Sequence, residues 1–397
     1  MINSSLIQTI FSGASIQRWN DYPRMMELVE LDKQAHKFII AYFISKLEKD
    51  ISYTHLIEAG IFEFLRRVIV TDIRPDVFHK ALQQKSTEIN KWVIDKLQTD
   101  LENIDDGKFF DKFKLYLSDE TIYKKERFIL KASSYLATRW EFNIVYQTSS
   151  FLKDIEIVKN DVEDEIEDYF ELIGVQKIAL NKKLAKIIDL SGRLRFQKRW
   201  AQTPRVPETS VLGHMLSVAI FAYFYSIKTR ACDKRIQNNF FVSLFHDLPE
   251  ALTRDIISPV KYSVDNLSNI ISEFEIQKIN DEIMPNIPNN LKKEFSYILG
   301  LFDGNKDEFK NKIIEGGHIK VVDNPQNYNE DKYDTIDGEA LKQCDLLSAF
   351  VEAQLSISHG IKSNELLNGL KEIEKKLTTI NGVNFKNIAA NIKEDII

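Results

Sequence analysis

Cysteine is almost absent. Only Cys232 and Cys344 occur, far apart in sequence, so no disulfide framework is expected. Glycine and proline are also scarce, at 14 and 9 residues in a chain of 397. That scarcity argues against a turn-rich β architecture, and the plentiful Lys, Ile, Leu, Phe and Glu favour long helices. No apolar run reaches the roughly 18–20 residues of a membrane span. The start, MINSSLIQTIFSGASIQ, lacks the positive beginning, long apolar centre and small-residue cleavage site of a signal peptide. Positive charge is not in excess either: the formal net charge is -6 and the pI about 5.8. That balance speaks against a protein that grips a nucleic-acid backbone, local clusters such as FLRRVIV notwithstanding. The expectation is a cytoplasmic, mostly helical protein with neither membrane nor nucleic-acid partner. Its length suggests two domains.

What the chain does contain is an internal repeat. SGASIQRWNDYPRMMELVELDKQAHKFIIAYF from Ser12 and SGRLRFQKRWAQTPRVPETSVLGHMLSVAIFAYF from Ser191 share SG, RW, PR and then a His before an apolar run. Arg18-Trp19 thus matches Arg199-Trp200, Pro23-Arg24 matches Pro204-Arg205, and His36 matches His214. Ile61-Phe62-Glu63-Phe64-Leu65 falls on Leu244-Phe245-His246-Asp247-Leu248, and Thr71-Asp72-Ile73 on Arg254-Asp255-Ile256. LKASSYLATRWEF from Leu130 resembles LKQCDLLSAFVEA from Leu341, which sets Ser134 opposite Asp345. The preserved order of four blocks predicts a tandem duplication, with residues 1–180 as the first unit and 181–397 as the second. The acidic stretch from Lys153 to Val175 reads as a solvated connecting helix, since its apolar positions are too frequent for a disordered tail.

The polar interruptions carry the chemistry. GHMLSVAIFAYFYSI reads as a helix apolar all round, hence buried, with His214 near its start. RIQNNFFVSLFHDL is another, ending or kinking at Pro249, which puts His246 and Asp247 at a helix end. GEALKQCDLLSAFVEAQLSI is a third, with Asp345 on or near its buried stripe, and NELLNGLKEIEKKLTTI is an ordinary amphipathic helix. Burying two imidazoles and two carboxylates without a partner is costly. As ligands, His214, His246, Asp247 and Asp345 suit one divalent transition metal such as Mn, Co, Fe, Ni or Zn. Helices supplying inward side chains are how bundles build such sites. Glu250, one turn after His246, is placed to accept a proton from a water activated there. His55, His79, His318 and His359 lack such company and read as surface or structural.

The pattern of His214, His246-Asp247 and Asp345 resembles the HD-domain metal-dependent phosphohydrolases. Within them, RW…PR…H…LFHDLPEALTRDIISPVKY…CDLLSAF is similar to the bacterial 5'-deoxynucleotidases, a homodimeric family, over roughly Leu190 to Ile357. The resemblance implies an all-α fold of two tandem HD-like bundles forming a pseudo-dimer within a single, monomeric chain. It implies the same four metal ligands, with Glu250 activating the water and Asp255 contacting the nucleotide within the catalytic segment. Arg199 would face the phosphate, Trp200 would pack on the sugar, and Lys261, like Arg205, would be a lesser phosphate contact. The expected activity is removal of phosphate from (deoxy)ribonucleoside 5'-monophosphates. Alternatives are another nucleotide phosphoester (a dNTP, a cyclic nucleotide or an alarmone) or a catalytically silent nucleotide sensor. Two departures bear on substrate: Gly213 stands where the family usually has an acidic residue, and Arg254 where a Gly usually precedes the Asp. In the first unit His36 and Asp72 persist, but Glu63-Phe64, Arg67 and Ser134 replace the remaining site residues. That unit is expected to be non-catalytic, with a regulatory nucleotide on Arg18 and Arg67 as a further expectation.

Overall fold

The computed structural model describes residues 2–71, 73, 75–256 and 264–396. Asp72, Lys261 and the side chain of His79 therefore lie outside the described residues. The described chain is predominantly helical, as composition predicts. In the first half stand α1 (Ser4–Ser12), α2 (Glu30–Ser45), α3 (Tyr53–Val70), α4 (Pro75–Leu101), α5 (Lys108–Ser118) and α6 (Lys124–Ser149). The acidic stretch forms α7 (Ile155–Glu167) and α8 (Ile173–Ala179), with Ile155 and Ile166 buried. The second half follows with α9 (Lys183–Gly192), α10 (Val211–Lys228), α11 (Asp233–Phe245) and α12 (Glu250–Thr253). After α13 (Leu267–Lys278) and α14 (Lys292–Ile298) come α15 (Gly338–Ser358), α16 (Asn364–Lys376) and α17 (Phe385–Asp395).

The helix starts are chemically marked. Asn3, Ser52, Ser210 and Ser363 each accept a hydrogen bond from a backbone amide of the first turn, satisfying an orphan donor. Pro249 closes the end of α11 and opens α12, so His246 caps α11 and Asp247 follows in the turn.

Two helices form the centre. Every residue of α2 is buried, and so is α10 from Val211 to Ser226. They pack on each other, and a single apolar core runs from Ile2 to Ile396 through both halves. At roughly 1.5–3 kcal/mol for each fully buried Leu, Ile or Phe, such a core dominates the favourable side of folding. By length and composition α10 is apolar enough to cross a membrane, contrary to the expectation from the sequence, with mean hydropathy 1.4 over 18 residues. Its window is 89% buried inside the protein, where it serves as the core helix.

The halves meet closely beside the start of α10. Ser210 Oγ donates to Asp32 Oδ1 of α2 at 2.6 Å. A Cβ on Gly213 would lie 2.8 Å from the same oxygen. The position where an acidic residue was expected is thus occupied from the side by a carboxylate of the first half. The second departure also has a conformational signature: Arg254 sits at φ 66°, ψ 159°, a region essentially reserved for glycine. Thr71, which the sequence comparison sets against Arg254, has φ 61°, ψ -147°.

The strands were not expected. Among the described residues, β1 (Gln17–Arg18) pairs with β2 (Leu28–Val29), β3 (Leu301–Phe302) with β4 (Asn305–Lys306), and β8 (Thr379–Ile380) with β9 (Val383–Asn384). The largest sheet has β5 (Asn311–Glu315) between β6 (His318–Val321) and β7 (Ile336–Asp337). Gly316 and Gly317, both at positive φ, turn the β5–β6 hairpin. Asp337 of β7 receives Arg235 Nε at 2.7 Å and Arg235 Nη2, and Asn239 Nδ2 at 2.7 Å. This fully buried fork ties the sheet and the start of α15 to α11. It holds together the two helices that carry His246 and Asp345.

Candidate metal centre

Three helix regions converge on one point: the first turn of α10 supplies His214, the end of α11 His246-Asp247, and the middle of α15 Asp345. Ligand atoms of His214, His246 and Asp247 all lie within 4.8 Å of one another. Asp345 Oδ1 is 3.0 Å from His214 Nε2, and Asp247 Oδ2 is 3.1 Å from His246 Nε2. The imidazoles are buried, whereas Asp247 and Asp345 keep 17% and 14% of their side chains exposed. The centre therefore opens to solvent on its carboxylate side. Of the four predicted ligands, His214, His246 and Asp247 form one tight group, and Asp345 adjoins it through His214 Nε2.

The far nitrogens of both rings are occupied. His246 Nδ1 faces Ser243 O at 2.7 Å, a carbonyl that can only accept, so this nitrogen carries the proton. His246 Nε2 is then a buried lone pair that faces Asp247 Oδ2 at 3.1 Å without an aligned hydrogen bond, as two ligands of one metal would. His214 Nδ1 lies 3.2 Å from Glu352 Oε1 and 3.1 Å from Ser348 Oγ. A carboxylate on the outer nitrogen turns the other toward a metal and raises its basicity. An open buried lone pair beside two carboxylates fits a divalent cation. Two imidazoles and carboxylate oxygens gathered at one point are a donor set that suits a divalent metal.

The charges are mutually dependent. Burial pushes the Asp345 carboxyl upward, but Lys342, His214 and His246 hold it well below the ordinary range. Asp247 is likewise held low, against burial, by His246, Arg199 and His214. Burial and Arg199 press the His214 pKa down, yet Glu352 and Asp345 keep it above its usual value. The carboxylates are thus poised as anions, and the imidazole proton is what a metal would displace.

Glu352, which the sequence reading did not single out, is the hub behind the site. It is fully buried on α15. Its Oε1 accepts from Thr209 Oγ1 at 2.9 Å and its Oε2 from Trp200 Nε1 at 3.0 Å, with Arg199 Nε 3.9 Å away. Burial raises its pKa, but His214, Arg205 and Arg199 bring it down to about 2. Arg199 also lies 3.5 Å from Asp255 Oδ2. Its own pKa is lowered by burial and raised further by Glu352, Asp255, Asp247 and Asp345, so it stays charged. Trp200 has its indole N–H on Glu352, and its ring lies against Gly369 of α16, where a Cβ would come within 2.6 Å. Arg205 is buried and donates to Thr209 Oγ1, a structural position rather than an open one.

Glu250 is the first residue of α12 and is buried, one turn beyond His246. Gln197, also missed, staples this region: its Nε2 donates to Glu250 O at 2.8 Å and its Oε1 accepts from Asp255 N at 3.0 Å. The insert before α15 adds one wall, with the Phe309 ring 5.8 Å from His246 and Lys342 Nζ 4.5 Å from the Phe309 centroid. His55 stacks on Tyr123, His318 is exposed and His359 contacts Leu355 O, so none of these approaches the centre.

The matched positions in the first half are arranged differently. His36 Nε2 faces Ile188 O at 2.9 Å and Nδ1 faces Arg195 Nη2 at 3.2 Å, so neither ring nitrogen has a free lone pair. Burial and Arg195 depress its pKa to about 3. Glu63 is bound by Lys37 and, at 2.8 Å, by Tyr116 OH. Arg18 and Trp19 both donate to Glu141 Oε2, at 2.8 and 3.2 Å.

Comparison with known proteins agrees with this geometry. Residues 191–374 match the HD domain family. Curated relatives include a 5'-deoxynucleotidase of Pasteurella multocida, 21% identical over 189 residues, covering 45% of this chain and 77% of the relative. Those of Citrobacter koseri and Cronobacter sakazakii are 25% and 27% identical, each covering 47% of this chain and 80% and 79% of the relative. The similarity lies in the second half, the half that carries the convergent ligands.

Proposed function

We propose that the second half is a metal-dependent phosphohydrolase that removes the phosphate of (deoxy)ribonucleoside 5'-monophosphates. The observation that carries this reading is the convergence of His214, His246, Asp247 and Asp345 with both Nδ1 atoms already engaged. These four residues would hold one divalent transition metal, which supplies charge neutralisation at phosphorus and a more acidic water. Glu250 is the general base that takes the proton of the attacking water. Arg199 faces the phosphoryl oxygens, its charge maintained by Glu352 and Asp255. Asp255 and Trp200 contact the nucleoside, and Lys261 remains a lesser phosphate contact. Preorganised positive charge at the phosphoryl group does most of the work in such a transfer. The products are the nucleoside and inorganic phosphate.

The first half takes the place of a second subunit, as a non-catalytic copy in a pseudo-dimer, with the units meeting near residue 181. Support comes from the parallel between Arg18, Trp19 and Glu141 and their matches Arg199, Trp200 and Glu352, and from Trp19 and Trp200 sharing φ near 56–58°. Names of the similar proteins favour the deoxynucleotide form of substrate. The test is phosphate release over nucleoside monophosphates, deoxynucleoside monophosphates and deoxynucleoside triphosphates, with and without added Mn or Co. Release from deoxynucleoside monophosphates above all others is expected. Release from triphosphates alone, or none with any metal, would overturn the reading.

A further inference from the structure

The first half has lost metal donors, but it has gained buried cations in their place. Lys33 and Lys37 of α2 stand where the second half has Val211 and Met215. Lys37 is bound to Glu63, at the position of His246. Lys33 Nζ lies 2.5 Å from Ser134 Oγ, at the position of Asp345. Arg67 occupies the position of Glu250, with its Nε 3.5 Å from Glu30 Oε2. Arg18, matched to Arg199, donates to Glu30 Oε2 at 2.9 Å as well as to Glu141.

Among the described residues this cluster holds more cations than carboxylates. Among the described residues the carboxylates in contact with Arg18, Lys33, Lys37 and Arg67 are Glu30, Glu63 and Glu141, and Glu141 is shared with Arg195 at 3.0 Å. Lys33 has only a hydroxyl as its hydrogen-bond partner there. Burial lowers its pKa to about 7, and Arg18 and Lys37 press in the same direction while Glu30 opposes. A buried ammonium at that cost is stabilised by an anion. Gln34, whose Nε2 is spent on Glu30, leaves Oε1 buried without a hydrogen-bond partner among the described residues, an acceptor for a protic ligand group. Arg18 and Arg67 keep 13% and 17% of their side chains exposed, so the cluster is open to small solutes. Arg18, Lys33 and Arg67, with the Ser134 hydroxyl on Lys33, supply the kind of donors that phosphate oxygens require.

We propose that the first half is a second, non-catalytic ligand site that binds a phosphate group, free or on a nucleoside monophosphate, through Arg18, Lys33, Arg67 and Ser134. The ligand stays intact there, because His36 has no nitrogen to offer a metal and Phe64 stands at the position of Asp247. The inference does not rest on the substrate of the second half.

The test is calorimetric titration of the full chain with inorganic phosphate and, separately, with dAMP. Asp247→Ala serves as background so that dAMP is not consumed, and Arg199→Gln removes the phosphate cation of the second half. Binding is expected to survive in that double variant and to weaken roughly tenfold or more when Arg67→Gln or Lys33→Gln is added, as loss of a charge-assisted contact predicts. Tighter binding of dAMP identifies a nucleotide site, and equal binding a free-phosphate site. Arg67 is the more exposed of the two, so Arg67→Gln with an unchanged melting curve keeps the test valid even where Lys33→Gln fails to fold. Loss of all binding on replacing Arg199, or affinity unaltered by Arg67→Gln, overturns the proposal.

Discussion

Glu352 shows how a residue outside the ligand set governs it. One carboxylate meets His214 Nδ1, Thr209 and Trp200 and faces Arg199, so the tautomer of His214 and the position of the Arg199 guanidinium depend on the same group. Glu352→Gln is expected to weaken metal affinity by about 10–100-fold while the protein remains folded, because an amide can present its N–H to Nδ1 and reverse the imidazole tautomer. Metal titration with a competing chelator measures this, and unaltered affinity would refute the positioning role. The convergence of His214, His246, Asp247 and Asp345 was legible in the sequence, because a buried His-Asp pair at a helix end has few bland explanations. Glu352 was not, although LKASSYLATRWEF and LKQCDLLSAFVEA both reach a Glu at the same place. A single Glu in an apolar helix looks like a surface position until its neighbours are known. Lys33 and Lys37 escaped for the same reason: ELDKQAHK reads as a polar helix start, yet every residue of it is buried.

The elements carrying the ligands are secured by polar clamps as well as by apolar packing. Arg235 on α11 and Asp337 at the start of α15 are both fully buried and bidentate. Asp337→Ala would leave a guanidinium buried without its partner, and about 3–5 kcal/mol of stability should be lost. Denaturant unfolding gives the number directly, and a loss under 1 kcal/mol would mean that the clamp matters little. The end of α11 was readable at Pro249, and the structure adds Ser210 and Ser363 as caps of α10 and α16 by chemistry that does not depend on tertiary context. The sheet of β5, β6 and β7 was not: its strands are two to five residues long, too short for period-two alternation to emerge. It exists because Arg235 and Asn239 anchor β7, a contact about a hundred residues away in sequence.

For the whole molecule, the packing of the two halves explains what local patterns could not. Gly213 looked like a substrate-site departure, and in the fold it is the space that Asp32 fills, with Ser210 bonded to the same carboxylate. A continuous core through both halves means that the first half is part of the folding unit rather than an appendage. If it stands in for a partner subunit, the protein is expected to be a monomer by light scattering at micromolar concentration. A tight homodimer would contradict that arrangement. The proposed repeat rests on the order of matched blocks in the sequence. That the two halves share one core was not, because contacts between α2 and α10 join residues far apart in the chain.

The central claim, that four residues of the second half hold a metal for which Glu250 supplies the base, is tested most directly by metal content per chain. One equivalent of a divalent transition metal is predicted for the purified protein and for Glu250→Ala, which should nevertheless release no phosphate. Asp247→Ala should retain neither metal nor activity. Undiminished metal or phosphate release in Asp247→Ala, or full activity in Glu250→Ala, would contradict the account.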